Sequence, residues 1–260
     1  MHLVQSVISE IKQVGPGYFR LKLIASKIAA AAKPGQFIQI RVADELSVDP
    51  LLARPVSIFR INRGEGSISL LFKVVGRGTK LLASKRKGDT LPIWGPIGNG
   101  FEVPKETGNI ALIAGGIGMP PLFCLQEQLS LQPNPPRLTL FYGGRARQDL
   151  LGIDLWEKSS VPVKIATEDG SAGFKGFVTE LFVNEHQTNK YDFIFACGPA
   201  PMLDAIQKIA VLSGIPGQVS LEAHMACGVG ACLGCTCQTN KGSRRVCVDG
   251  PVFSIKEVIF

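Results

Sequence analysis

No stretch of the 260-residue chain is apolar for long enough to cross a bilayer. Its most apolar segment, Ile110 to Leu125, is cut by Gly115-Gly116, Gly118 and Pro120-Pro121 and falls short of the roughly 20 residues a spanning helix needs. No signal peptide opens the chain, no repeat recurs along it and no low-complexity linker divides it. A disulfide scaffold is excluded, because five of the seven cysteines crowd into 21 positions instead of spreading along a short secreted chain. Nucleic acid is not expected as a partner: the densest basic run, Lys85-Arg86-Lys87, precedes the turn Gly88-Asp89 without interleaved aromatics to stack on bases and reads as a solvated loop. The net charge of +7 is then assigned to solvated loops and to anionic cofactors. What is present, 45% hydrophobic and 19% charged residues, is ordinary globular composition, and the length allows two domains with separate cores. The expectation is a soluble, cytoplasmic protein of a reducing compartment, with no membrane contact.

Near the C-terminus, Cys227, Cys232, Cys235 and Cys247 stand in the order C-x4-C-x2-C-x11-C, the plant-type spacing that wraps thiolates around a [2Fe–2S] cluster. The loop from Cys227 to Cys232 must curl tightly for the sulfurs to converge, and Gly228 and Gly230 permit the positive φ values such a curl needs. Structural zinc is the rival, but zinc sites usually pair two short cysteine knuckles, and only Cys232 and Cys235 form one here. Cys237 stands as a substitute ligand or as a neighbouring strand thiol. His224 could ligate iron as in Rieske centres, but four suitably spaced cysteines leave no vacancy, so it is read as facing solvent or a partner. Arg244 and Arg245 either offset the charge of a cluster or lie exposed on a turn after Asn240-Lys241-Gly242.

Two textures precede this region. To about Trp94 apolar residues alternate, as in Phe19-Arg20-Leu21-Lys22-Leu23 and Ile38-Gln39-Ile40-Arg41-Val42, with turn signals between runs, which reads as a small antiparallel barrel. After Pro104 short apolar strands (Asn109 to Ala114, Arg137 to Tyr142, Val161 to Thr167, Asp192 to Ala196) alternate with helical segments, which argues a parallel sheet covered by helices. In the last of these helices Met202, Leu203, Ile206, Ile209 and Ala210 recur near helical spacing and are read as core. The fold class is β followed by α/β, in three parts: a barrel over 1–103, a parallel-sheet domain over 104–216 and a cysteine subdomain over 217–260.

The segment Gly115-Gly116-Ile117-Gly118-Met119-Pro120-Pro121 follows an apolar strand and opens a helix, so its backbone N–H groups can cradle a pyrophosphate. A second turn, Cys197-Gly198-Pro199, also lies between strand and helix, and such a pair at the C-terminal ends of a sheet marks a nucleotide crevice. Cys197 has no nearby base to activate it and is read as a small residue against a flat ring. In the barrel half, Arg54-Pro55-Val56-Ser57 begins a strand with a cation and, on what reads as the same face, a hydroxyl. Gly76-Arg77-Gly78-Thr79 reads as the end of another strand. Both suit close approach of phosphate, and both also suit a plain barrel turn.

Taken in order, these motifs resemble the ferredoxin reductase superfamily with a C-terminal cluster. More narrowly, the chain is similar throughout to the electron-transfer subunits of NAD-dependent dihydroorotate dehydrogenase. The phrases that carry this are Gly95-Pro96-Ile97-Gly98-Asn99-Gly100-Phe101, the run from Glu222 to Cys232, and the run from Val246 to Phe253. The resemblance implies FAD on the barrel, with Arg54 near its pyrophosphate and Ser57 beside the isoalloxazine. Pro55 and Val56 belong to the same motif, and Gly76, Arg77, Gly78 and Thr79 help hold the phosphates. It implies NAD across Gly115, Gly116, Gly118, Met119 and Pro120, across Thr167, Glu168 and Asp169, and across Cys197 and Gly198. NADP-using relatives carry Ser-Arg where this chain has Thr167-Glu168, and a carboxylate repels phosphate while accepting ribose hydroxyls, so NAD is expected. Arg145 and Arg147 could still turn toward a phosphate. The implied partner is an FMN-containing catalytic subunit, two of each forming a heterotetramer, which oxidises dihydroorotate to orotate in pyrimidine biosynthesis. No catalytic side chain is required of this chain. A nicotinamide exchanges two electrons at once and a cluster one, and a flavin between them can split the pair. Two rivals remain: a reductase subunit linking NAD(P)H to ferredoxin, sulfur species or a hydrogenase, and a zinc-stabilised binding module.

Overall fold

The computed structural model describes residues 1–43, 47–104 and 107–260. Its first part comprises β1 (His2–Gly15), β2 (Tyr18–Ile24), α1 (Ser26–Ala31), β3 (Phe37–Ile40), β4 (Arg54–Asn62), β5 (Ser67–Lys73), α2 (Arg77–Ala83) and β6 (Thr90–Ile97). The strands close into an antiparallel barrel in the order β1-β2-β5-β4-β3-β6, β6 returning to β1. Side chains of a strand alternate between faces, and the inward set here, including Ile8, Leu21, Ile38, Ile40, Ile58 and Leu70, is fully buried.

Two expectations change at this level. Gly76 to Thr79 does not end a strand: β5 stops at Lys73 and the motif opens α2, where Thr79 Oγ1 accepts the N–H groups of Val75 and Gly76 at 2.9 and 3.1 Å. Arg54 and Ser57 do not share a face either. Ile40 pairs with Arg54 and Phe37 with Ser57, and a three-residue step along a strand crosses from one side to the other.

The second part runs β7 (Asn109–Gly115), α3 (Met119–Ser130), β8 (Arg137–Gly144), α4 (Ile153–Glu157), β9 (Val163–Thr167), β10 (Phe174–Lys175), α5 (Val178–Thr188), β11 (Phe193–Cys197) and α6 (Ala200–Ser213). β12 (Gly217–Ser220), the hairpin β13 (Thr236–Thr239) and β14 (Gly242–Arg245), and β15 (Val252–Ser254) follow. A seven-stranded sheet has the order β10-β9-β8-β7-β11-β12-β15, parallel except for the last pairing. Alternation again sorts its residues: Ile110, Leu112 and Ala114 join the core that holds Leu122 and Leu125 of α3, while Ala111 and Ile113 join the one that holds Phe182 of α5 and Leu203 and Ile206 of α6. The barrel packs on the other side of α3, where the Phe123 ring lies 5.0 Å from Phe59 of β4 and 5.1 Å from Trp156.

β12 and β15 belong to this same sheet, so the division expected at 216/217 falls inside it, and the cysteine segment is an excursion between its last two strands. The excursion is tied to the barrel's exit. Asn99 donates its N–H to Gly250 O at 2.5 Å and its side-chain amide to Asp249 O at 3.0 Å, and a Cβ at Gly98 would meet Gly250 O at 2.4 Å. Two of the phrases that carried the resemblance therefore touch.

Candidate cofactor and cluster sites

The four cysteines form two adjoining pairs. The Cys232 N–H donates to Cys227 Sγ at 3.4 Å, and the N–H of Val246, beside Cys247, donates to Cys235 O at 3.0 Å. The loop between them turns its amides inward through positive φ at Gly228 (67°), Gly230 (81°) and Leu233 (60°). Val229 and Cys232 donate their N–H groups to Cys227 Sγ at 3.4 Å, and Gly234 donates to Cys232 Sγ at 3.4 Å. Desolvation pushes the Cys227 thiol up, but these donors outweigh it and bring it down to about 6. Burial, then the neighbouring Cys235, pushes Cys247 up to about 11. A two-iron cluster takes one pair of thiolates per iron, whereas a single zinc ion needs all four around one point. Among the described residues no three His, Cys, Asp or Glu side chains close on one point, and Cys227 beside Cys232 and Cys235 beside the Val246-Cys247 backbone fit one pair of thiolates per iron.

Cys237 lies on β13 outside both pairs, its thiol raised chiefly by burial, and His224 is exposed. Arg245 spans the loop, Nη1 donating to Gly230 O at 3.1 Å while its N–H and Nε meet Asp249 Oδ2 at 2.8 and 3.4 Å. That N–H chiefly holds the Asp249 carboxyl below its ordinary range. Arg244 also reaches Asp249, at 3.9 Å, so both arginines serve a carboxylate of their own segment.

A cleft of about 990 Å³ opens where the strand order reverses, at the C-terminal ends of β7 and β11. Gly115, Gly116, Gly118, Glu168 and Gly198 line it, as does Arg145. The two turns meet backbone to backbone: a Cβ at Gly118 would fall 2.2 Å from Cys197 O, and one at Gly198 would fall 3.0 Å from Gly115 Cα. The remaining expected residues support the cleft from behind or beside it. Met119 and Pro120 are buried in the first turn of α3, and Cys197 is buried with its thiol raised by desolvation. Thr167 is fully buried, its hydroxyl donating to Ala172 O at 2.8 Å and accepting from Ala172 N–H at 2.9 Å. Asp169 accepts the Ser171 hydroxyl and N–H at 2.6 and 2.9 Å, which lower its carboxyl. Met202, expected in the core, is half-buried and packs against it while also lining the cleft beside Gly115.

On the barrel, the Arg54 guanidinium lies across Gly78, where a Cβ would fall 2.2 Å from Nε, and Nη1 donates to Leu52 O at 2.6 Å. The two barrel motifs thus form one structure. Arg77 is exposed and paired with Asp49 at 3.1 Å. Val48, Leu51, Leu52 and Val75 leave apolar surface exposed along these segments. Pro55 and Ser57 are half-buried on the outer face of β4, whereas Val56 faces the barrel core. Gln39 of β3 pairs with Pro55 on that outer face, fully buried, and neither end of its amide has a partner. A fixed cation, an apolar rim and a half-covered strand face are what a flavin dinucleotide's diphosphate and flat ring need.

The iron–sulfur cluster binding domain of dihydroorotate dehydrogenase B matches residues 222–259, and the oxidoreductase NAD-binding domain matches residues 112–208. The electron transfer subunit of dihydroorotate dehydrogenase B (NAD(+)) from Clostridium acetobutylicum is 39% identical over 258 residues, covering 99% of this chain and 97% of its own. The chain belongs to the family of dihydroorotate dehydrogenase B electron-transfer subunits. The Desulforamulus reducens member is 37% identical over 255 residues, covering 96% of this chain and 95% of its own. Among solved structures, an NADH-dependent reduced ferredoxin-NADP oxidoreductase studied for flavin-based electron bifurcation has a TM-score of 0.88 at 30% identity, covering 98% of this chain and 90% of that one. The expected architecture of barrel, parallel-sheet part and C-terminal cysteine segment is the family's and is the one found.

In this member of the family, the cleft residues that escaped the sequence reading include Tyr18, Lys73, Asp149 and Glu222. Tyr18 donates its hydroxyl to Asp149 Oδ1 at 3.3 Å, and Lys73 Nζ lies 3.7 Å from the same oxygen and 4.8 Å from the Tyr18 ring centre. This trio joins the barrel to the parallel-sheet part at the cleft wall. Glu222 reaches the open cleft, yet the surrounding protein displaces much of its water, and this desolvation raises its carboxyl. No local pattern marks the trio, because only the fold brings β2, β5 and the turn after β8 together. Glu222 did stand in a quoted phrase, as the residue opening the cysteine segment.

Proposed function

We propose that this chain relays electrons between an FMN-containing catalytic subunit, where dihydroorotate becomes orotate, and NAD+. Cys227, Cys232, Cys235 and Cys247 hold a [2Fe–2S] cluster, the barrel holds FAD and the cleft receives the nicotinamide nucleotide. When bound, these groups supply hydride exchange, division of the electron pair and single-electron transfer. One observation carries the reading: Gly228, adjacent to Cys227, seats on Gln39, whose strand partner is Pro55. Cluster loop and flavin strand thus share one outer face of the barrel, while Tyr18 and Lys73 of the same barrel line the nucleotide cleft.

The chain's own residues bind, orient and shield. Arg54, held over Gly78, presents a planar fork to the flavin's diphosphate, and Pro55 and Ser57 form the strand surface under its ring. Gly115, Gly116, Gly118 and Gly198 let the nucleotide approach the backbone, and Glu168 accepts ribose hydroxyls and repels a 2′-phosphate, favouring NAD over NADP. The N–H groups of Val229, Cys232 and Gly234 offset negative charge on the sulfurs. Function divides accordingly into FAD on 1–103, NAD on 104–216 and cluster on 217–260, although the last segment also completes the sheet. Among the described residues no helix is long and apolar enough to cross a membrane, and the proposed setting is the cytoplasm.

Cys232, Val229, Leu233 and Val248 are exposed on the outer side of the cluster loop, so an apolar surface stands where electrons from the catalytic subunit must enter. This is the docking surface for the catalytic subunit, in a complex of two subunits of each kind. Co-expression with a tagged FMN-containing partner tests the reading. The expected result is a retained complex of that stoichiometry that forms orotate and NADH in equal amounts from dihydroorotate and NAD+. A chain that stays monomeric beside the partner would contradict it.

A further inference from the structure

Gln39 is the sole described side chain with both of its polar atoms buried and unpartnered. Its neighbours on β3, Ile38 and Ile40, fill the barrel core, so Gln39 points outward, opposite Pro55 on β4 and Trp94 on β6. Outside the barrel it meets the cluster loop: a Cβ at Gly228 would fall 2.8 Å from Gln39 Cγ and 3.0 Å from Nε2. Phe37, the next outward residue of β3, packs in the same core as Cys235, Val246 and Cys247. A buried primary amide with nothing to bond is costly, and native interiors tolerate one mainly where a further group completes it. An apolar residue would fill the same volume without that cost. The amide therefore has a role in the loaded protein that the chain alone does not satisfy.

We propose that Gln39 is a positioning residue that donates an Nε2–H hydrogen bond from the barrel to a sulfur of the cluster. The inference rests on the function proposed above and goes beyond it, since it assigns a cluster contact to a strand of the barrel. The loop amides already serve Cys227 and Cys232 from the solvent side, and Gln39 serves the cluster from the opposite, buried side. A donor to sulfur stabilises the reduced, more negative cluster and so raises its potential.

The test uses protein carrying both flavin and cluster, labelled with ¹⁵N at the glutamine side-chain amide and reduced with dithionite. Hyperfine spectroscopy of the reduced cluster is expected to show a ¹⁵N coupling that Gln39→Leu abolishes, and a redox titration should show the cluster potential lower in that variant with the flavin potentials unmoved. Gln39→Glu keeps the volume, removes the donor and should lower the cluster potential further. This second variant keeps the test alive if the first does not fold. An identical coupling in wild type and Gln39→Leu, an unmoved cluster potential, or a shift confined to the flavin would each overturn the proposal. Wild-type protein without a cluster would sink the proposed function as well, whereas a loaded cluster lacking the coupling sinks only this inference.

Discussion

Gly78 and Arg54 show how much of this protein is decided by single contacts that no motif reveals. A methyl group on Gly78 would land 2.2 Å from Arg54 Nε and push the guanidinium off its seat. Gly78→Ala is therefore expected to weaken FAD binding at least tenfold, about 1.4 kcal/mol, in titrations of the flavin-free protein. Unchanged affinity would show that Arg54 does not hold the diphosphate. Glu222 gives a pH prediction. Although Glu222 reaches the open cleft, desolvation by the surrounding protein raises its carboxyl above the ordinary 4.5, so the folded state favours the protonated form. Its contribution to stability is present below the unfolded value and is lost as pH rises through the raised one. Glu222→Gln should therefore raise the melting temperature of the cofactor-free protein near pH 8, and the gain should shrink to nothing toward pH 4. A gain that grew on acidification would reverse the assigned sign. At this scale the segment that matches the iron–sulfur binding domain, residues 222–259, was legible because the cysteine spacing within one short loop limits which sulfurs can meet. Gln39 was not: Ile38-Gln39-Ile40 reads as a half-exposed strand, and only the cluster loop folded over it makes that amide fully buried.

Among the elements, the contact between α3 and β11 is the tightest device in the cleft. Gly118 opens α3 directly against Cys197 O, a backbone atom that cannot rotate away. Gly118→Ala is expected to destabilise the fold by about 1–3 kcal/mol through overpacking, read as a lower urea midpoint, and to weaken NAD+ binding in parallel. A neutral result would mean that the helix can withdraw without disturbing the cleft. The alternation of short strands and helices after Pro104 was readable because a fully buried parallel sheet demands near-continuous apolar runs. Three features were not. The start of α2 carries two glycines and looks like a turn until Thr79 caps it. α5 begins with Val178-Thr179, which favours a strand locally, and is held as a helix by Phe182 packing on Phe141. β15 has three residues and is defined only by its pairing with β12.

In the whole molecule the cysteine segment is a bridge with one side on the barrel and the other facing out. Cys235 and Cys247 are 3% and 2% exposed, while Leu233 beside Cys232 is 61% exposed. Leu233→Glu should weaken association with the catalytic subunit by roughly thirtyfold, about 2 kcal/mol, in a binding titration, while flavin and cluster absorption stay unchanged. Full affinity in that variant would move the docking surface elsewhere. The order of stations was legible from motif order alone, but their adjacency was not, because it depends on Gly228 reaching Gln39 and on Asn99 tying the segment back to the barrel. The central claim is that nucleotide, flavin and cluster form one continuous path within this chain. Its most direct measurement is the ultraviolet-visible spectrum of the anaerobically purified protein before and after addition of NADH. Flavin and cluster bands are expected at the outset, with bleaching of both by NADH. A colourless protein containing stoichiometric zinc, or flavin and cluster bands that do not respond to NADH, would contradict it.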